Sequence, residues 1–330
     1  MKTKRMRIHQ LVQLATVATL LISASFSTQA KERVNQTLDT SDAPNIEFEH
    51  VAGEIGIQGW DNNTVKVEGE LGERTEDFIF QQSGNDVVIK VKTDHRNVNY
   101  QSDKPHNGDK LTVFVPAKSR LTYNAVVAEV KASGLKSDSK FEMVNGDLSV
   151  TDLSGRVKIV VVNADVALKN IQGKLSVETV NGDIEGRHKG NDNVTLRTVN
   201  GDIEFATTSP RVLVDSVNGD SELNLARIQS LSLSTVNGDM EAGLILMSDG
   251  DIDASSVGGK IELSLQPDVS ARFELQAHAG GDIINRITND KPQSAKYGPS
   301  EWLNFTVNGG SARVEMSTVH GELSLETSSD

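Results

Sequence analysis

The stretch that decides the fold runs from Leu175 to Phe205, "LSVETVNGDIEGRHKGNDNVTLRTVNGDIEF", and it says V-N-G-D twice. The same phrase stands at Asn145-Gly146-Asp147, Asn181-Gly182-Asp183, Asn200-Gly201-Asp202, Asn218-Gly219-Asp220 and Asn237-Gly238-Asp239, each time after a valine. Degenerate copies fill the gaps or follow: Val162-Asn163-Ala164-Asp165, Val257-Gly258-Gly259-Lys260, Ala279-Gly280-Gly281-Asp282 and Val319-His320-Gly321-Glu322. From Asn145 onward the intervals are 18, 18, 19, 18 and 19 residues, then 21 and 22. A fixed period near 20 residues is the mark of a repeat architecture.

Apolar residues keep fixed offsets around each phrase. Six and four residues before the Asn stand Leu175 and Val177, Val194 and Leu196, Val212 and Val214, Leu231 and Leu233; three residues after it come Leu148, Val166, Ile184, Ile203 and Met240, with Ser221 the exception. This is alternation with period two, hence strands. Asn tolerates and Gly favours positive φ, so each unit reads as strand, tight corner, strand. A second turn falls half a period away, at Ser154-Gly155, Gln172-Gly173, Lys189-Gly190-Asn191, Ser209-Pro210 and Ser248-Asp249-Gly250.

Two all-β architectures fit. Asn-Gly could close two-residue hairpins of an antiparallel meander. It could equally turn the corners of a single-stranded parallel β-helix, a β-solenoid with a coil period of 18–19 residues, in which like residues stack at the strand spacing of roughly 4.8 Å. Columns of Val, Asn, Gly and Thr or Ser at identical offsets favour the solenoid, and Asn columns stack well through side-chain hydrogen bonds. A hexapeptide coil would want an aliphatic residue every six positions, which Val144, Val150, Arg156 already breaks; the expectation is a right-handed helix. In this reading the valine of each phrase, Val236 for example, fills a core column.

The phrase is weaker outside the array. His50-Val51-Ala52-Gly53-Glu54-Ile55 reads as one coil, and Val127 and Glu129 hold the Asn and Asp places one period before Asn145 and Asp147. Polar segments at 94–109 and 289–301 read as surface insertions, with Tyr100 and Tyr297 in them, and Asn308 to Leu325 as the closing coil.

Residues 1–30 read as a secretory signal peptide: Lys2, Lys4, Arg5 and Arg7, then the apolar run Leu11 to Phe26, then Thr28-Gln29-Ala30 before Lys31. An uncleaved anchor suits the run less well, given its length and Gln13. The expectation is therefore an exported chain, periplasmic, cell-surface or secreted, with one domain over 31–330 and no membrane span in it. The whole sequence carries a formal charge of −13, and without the four leader cations it carries −17. Nucleic acid is not an expected partner of so acidic a chain. With no cysteine there are neither disulfides nor thiolate metal sites, so the core alone must hold the fold.

"VAGEIGIQGWDNNTVKVEGEL" (Val51 to Leu71), the V-N-G-D array and "SARVEMSTVHGELSLE" (Ser311 to Glu326) together resemble the bacterial putative adhesin family, a domain of unknown function related to the head domains of autotransporter adhesins. The resemblance spans nearly the whole mature chain. It implies a β-helical, exported, non-catalytic protein; unlike an autotransporter, the sequence shows no membrane barrel before Asp330.

The richest candidate chemistry is acidic. Asp147, Asp165, Asp183, Asp202, Asp220 and Asp239 would stack at one corner, with Glu185, Glu204, Glu222 and Glu241 two residues on and so on the same outward face. From Asp183 to Glu241 that is a grid of eight carboxylates. Like charges about 5 Å apart cost roughly 0.8 kcal/mol per pair in water and about 3 kcal/mol at an effective dielectric near 20. Two readings compete. Either each Asp is spent on backbone N–H groups at the turn, or the grid binds a cation such as Ca²⁺ or a cationic peptide or envelope protein.

A glycan-cleaving β-helix, lyase or hydrolase, is the alternative function, since paired carboxylates on successive coils can act as acid and base. Repetition argues against it, because a catalytic pair should be a local exception to the pattern. The exceptions, Arg187-His188-Lys189, Lys260, His278 and His320, carry no nucleophile-elbow, zinc or phosphate-loop motif. Trp60 and Trp302 read as coil-end caps or as platforms for a sugar ring. The reading is a non-enzymatic binding or scaffold protein of the envelope, without catalytic residues, metal or cofactor.

Overall fold

Alternation of buried and exposed residues fixes where each repeat bends. In Leu175–Asn181 the side chains of Leu175, Val177 and Thr179 are buried, and in Ile184–Lys189 those of Ile184 and His188. Between the two strands Asn181-Gly182-Asp183 turns the chain, with Gly182 at φ +142°. The computed structural model describes residues 32–93 and 108–328. The leader assigned to residues 1–30 and most of the first insertion, Tyr100 included, lie outside the described residues.

The repeats stack in parallel and in register. Leu175 pairs with Val157 on one side and Val194 on the other, and Asn181 pairs with Asn163 and Asn200. The same registration continues through Arg211–Asn218, Ser221–Asn237 and Met240–Ser256. Beyond each corner a second column forms, with Ile184 paired to Val166 and Ile203, then Ser221, Met240, Ile261 and Leu323. Parallel pairing at a shift of one repeat disposes of the hairpin reading for the array. The architecture is all-β and solenoid-like, and among the described residues no helix is long and apolar enough to cross a membrane.

The core is a set of stacked columns. Phe141, Ile159, Val177, Leu196, Val214, Leu233 and Ala254 succeed one another on one wall, all but fully buried. Burial of each such side chain is worth about 1.5–3 kcal/mol, and repetition along the axis makes the sum large. Where the corner backbone takes a positive φ it requires glycine: at Gly201, with φ +152°, a Cβ would stand 2.2 Å from the Gly182 carbonyl oxygen of the preceding coil, whereas one corner, without a positive φ, holds Ala164 in register with Gly146.

The valine of each phrase does not fill a core column. Val144, Val162, Val180, Val199, Val217, Val236 and Val257 are 36–44 % exposed. Parity gives the reason: the inward row before the corner ends on the residue ahead of the valine, Met143 and Val161 in the first two coils and then Thr179, Thr198, Ser216, Thr235 and Ser256, all buried. In Ser216, Thr235 and Ser256 the hydroxyl donates to the carbonyl of the glycine three residues on. The core therefore gives way to a polar row just where the chain must bend.

Both ends depart from a plain coil stack. At the N-terminal end Arg33–Asp39 and Thr64–Glu70 pair antiparallel, as do Thr64–Glu70 with Asp109–Pro116 and Thr75–Ser83 with Asp86–Thr93. Between these and the array, Asn45–Trp60 stacks in parallel on Arg120–Ser133, which stacks on Ser139–Thr151 with Val127 opposite Asn145 and Glu129 opposite Asp147. At the C-terminal end the segment expected to close the stack is internal. Ala312–Thr318 and Glu322–Thr327 lie between Met240–Ser256 with Ile261–Leu265 on one side and Ala271–Ala277 with Asp282–Asn285 on the other. The outermost strands are Glu301–Val307, antiparallel to Ala271–Ala277, and the two-residue Gln293–Ser294, which falls inside the second insertion.

Candidate functional site

The aspartates of the repeat hold one coil to the next. The backbone N–H of Asp183 donates to Asp165 Oδ1 at 3.0 Å, that of Asp202 to Asp183 at 2.8 Å, of Asp220 to Asp202 at 2.8 Å, of Asp239 to Asp220 at 2.8 Å and of Lys260 to Asp239 at 2.9 Å. Beside them the asparagine amides form a second ladder, Asn163 to Asn145, Asn181 to Asn163, Asn200 to Asn181, Asn218 to Asn200 and Asn237 to Asn218, at 2.7–3.1 Å. A hydrogen bond to a charged acceptor contributes about 1.5–3 kcal/mol, enough to offset the repulsion between neighbouring carboxylates. Of the two readings of this column, the structural one accounts for every aspartate from Asp165 to Asp239.

The glutamates are placed differently. Glu185, Glu204, Glu222 and Glu241 stand in register on successive strands with their side chains exposed, and Glu262 extends the column. They border two shallow depressions that share Glu222 and Asn224. One, of about 540 Å³, is lined by Glu185, Arg187, Glu204 and Glu222; the other, of about 400 Å³, by Glu222, Glu241 and Glu262. Lys260 takes the Asp place of the next coil and bridges Glu241 and Glu262 at 3.4 and 2.7 Å. Hydrogen bonding to Lys260 holds the Glu262 carboxyl below its ordinary range, against a smaller effect of burial. Among the described residues no three His, Asp or Glu side chains are grouped so as to hold a metal ion.

One exception to the pattern, His188, serves packing. His188 is buried: its Nε2 donates to the Gly173 carbonyl at 2.7 Å and its Nδ1 lies 2.9 Å from Thr207 Oγ1, which holds the ring between coils. Burial depresses its pKa from 6.5, only partly opposed by the bond to Gly173. A depressed histidine stabilises the fold in full above its unfolded value and loses that contribution as pH falls below about 6.5. The urea midpoint should therefore be lower at pH 5.5 than at pH 7.5, and His188→Gln should flatten that part of the profile. His278 and His320 are exposed. Trp60 stacks on Phe114 with centroids 5.0 Å apart and donates its indole N–H to the Thr64 carbonyl, a packing role at the N-terminal end.

One polar cluster escaped the sequence reading. Asp109, expected at the end of a surface insertion, is 2 % exposed, and its Oδ2 lies 3.0 Å from His50 Nε2. Its Oδ1 accepts from the Gly72 N–H and the Thr75 hydroxyl, both at 2.6 Å, and Tyr123 Oη reaches His50 Nδ1 at 3.5 Å. Burial pushes the Asp109 carboxyl up, but the hydrogen bonds from His50, Gly72 and Thr75 hold it below its ordinary value of 3.8. Burial and the Asp109 charge raise the Tyr123 phenol. A His–Asp pair of this geometry orients catalytic histidines elsewhere, yet the side chains of His50 and Asp109 are only 0 % and 2 % exposed. The group ties four N-terminal segments together.

A family model matches residues 43–326, from the N-terminal strands through the inserted C-terminal coil. The chain belongs to the Toastrack DUF4097 family. The resemblance to the bacterial putative adhesins holds with it, and both describe domains of unknown function. Similar solved structures include a putative cell adhesion protein from Clostridium sporogenes, 8 % identical, with 90 % of this chain and 100 % of that one covered and a TM-score of 0.26. A putative adhesin from Parabacteroides distasonis is 14 % identical over 71 % of this chain and 97 % of its own, with a TM-score of 0.37. One from Bacteroides fragilis is 11 % identical over 90 % and 98 %, with a TM-score of 0.31. No curated protein matches the sequence.

Proposed function

We infer that this Toastrack chain is an exported, non-enzymatic binding or scaffold protein of the bacterial envelope, at the periplasm or the cell surface, whose coils wind as one right-handed parallel β-helix. The observation that carries the reading is the division of labour in the repeat. Aspartates are consumed between coils, while the glutamates beside them are displayed identically on one strand after another. A rigid row of identical groups suits recognition of a cationic peptide or protein surface by charge complementarity. Acid–base chemistry needs two groups with different roles and different surroundings, and the repeated column offers the same group in the same place. The names of the similar proteins, adhesins and a cell adhesion protein, agree with a binding role.

Incubating the purified chain with envelope glycans tests the reading against a lyase or hydrolase. No reducing ends or unsaturated sugars should appear; their release, abolished by a single substitution, would overturn it. Calcium belongs to the same proposal only as a ligand of the glutamates. If it binds them, millimolar Ca²⁺ raises the melting temperature above that in chelator, and an unchanged value removes it.

A further inference from the structure

The opposite wall of the coil, built from the strands that precede each corner, carries a second surface that neither the repeat nor the family accounts for. At its C-terminal end one outward row reads Trp302, Gln276, Ser317, Ser255 and Ser234, each registered on the next strand. Trp302 is 36 % exposed. Its indole N–H, the Gln276 amide and the three hydroxyls have no hydrogen-bond partner among the described residues. Every member of the row is uncharged and able to donate. On a wall otherwise stitched by ion pairs, such as Arg197 with Glu178 and Asp215 or Arg313 with Asp251 and Glu315, a free neutral row stands out.

The borders of the row sharpen its chemistry. On one side run Val257 and Val236, 44 % and 37 % exposed, members of the outward valine column. On the other run Glu274, Glu315 and Asp253, in register on three adjacent strands, with Glu315 paired to Arg313 and the carboxylates of Glu274 and Asp253 left to set the charge of the edge. The surface is thus an aromatic ring at one end, a line of donors and acceptors along the middle, an apolar edge and an acidic edge. A pyranose chain has the matching anatomy, with C–H faces that pack on an aromatic or aliphatic surface and hydroxyl edges that hydrogen-bond. The strand spacing of roughly 4.8 Å brings a new polar group into reach at each step, close to the length of one sugar unit. The acidic edge repels polyuronates and other anionic glycans.

We propose that this face binds a neutral, unbranched glycan chain, laid across the strands with one ring stacked on Trp302 and the next units hydrogen-bonded along Gln276, Ser317, Ser255 and Ser234. The assignment rests on the reading of the chain as a binding protein and adds a site on the wall away from the glutamates.

Titration calorimetry of the full chain with chitohexaose, cellohexaose and polygalacturonate tests it. At least one neutral hexasaccharide should bind and polygalacturonate should not. Trp302→Ala should weaken binding at least about tenfold with an unchanged melting temperature. Ser255→Val, which keeps the shape and removes a hydroxyl, should weaken it by a smaller factor. Failure of both neutral probes to bind, binding that Trp302→Ala leaves intact, or preference for polygalacturonate would each overturn the proposal. None of these touches the non-enzymatic reading, which falls only if sugar ends are released.

Discussion

A chain ending at Gly309 should lose more than its last coil: residues 271–307 should come away as well. The missing strands are the interior layer between Met240–Ser256 with Ile261–Leu265 on one side and Ala271–Ala277 with Asp282–Asn285 on the other. They carry Val314, Met316, Leu323 and Leu325, all essentially buried. In a stack whose stability is a sum over nearest neighbours, removing an interior layer leaves the strands beyond it paired only with one another, with no coil of the stack to rest on. Limited proteolysis followed by mass spectrometry should recover a stable fragment ending near Leu265. Were the segment a true closing coil, as the repeat pattern alone suggests, residues 271–307 would stay protected.

Asp109→Ala should be the most damaging single substitution at the other end, at about 3–5 kcal/mol. It strands the Gly72 N–H and the Thr75 hydroxyl and leaves His50 buried without its partner. Asp109→Asn keeps an acceptor for Gly72 and Thr75 and should cost less. The carboxyl titrates below 3.8 in the folded chain. Its contribution is accordingly complete above the unfolded value and is lost as pH falls through the folded one. Urea unfolding between pH 5 and pH 2.5 should show that loss in the wild type and a shallower decline in Asp109→Asn.

What the sequence makes legible is whatever the period carries. Spacing alone aligns Asn145 with Asn163 and Asn181, and it puts Val127 in the Asn place of the coil before. Three things escape it, each for a physical reason. The side on which Val236 falls depends on how many residues the bend takes up, and alternation cannot count through a corner. The place of the last coil is hidden because Val319-His320-Gly321-Glu322 matches every neighbour equally well, so a repeat specifies register without specifying order. The His50–Asp109 pair joins residues 59 positions apart with no motif between them, and Asp109 ends a polar stretch whose composition alone points outward. The row at Trp302 combines residues from five strands and becomes visible only once the inserted coil brings Ser317 between Ser255 and Gln276.

In this repeat the aspartates are architecture and the glutamates are surface. Urea unfolding of two fourfold variants tests it most directly. Replacing Asp183, Asp202, Asp220 and Asp239 by Ala should remove roughly 1–2 kcal/mol each and lower the midpoint steeply. Replacing Glu185, Glu204, Glu222 and Glu241 by Gln should leave the midpoint where it is or raise it, because like charges are relieved and only the exposed contact of Glu241 with Lys260 is lost. A midpoint that survives loss of the aspartates, or one that falls with loss of the glutamates, would contradict the account.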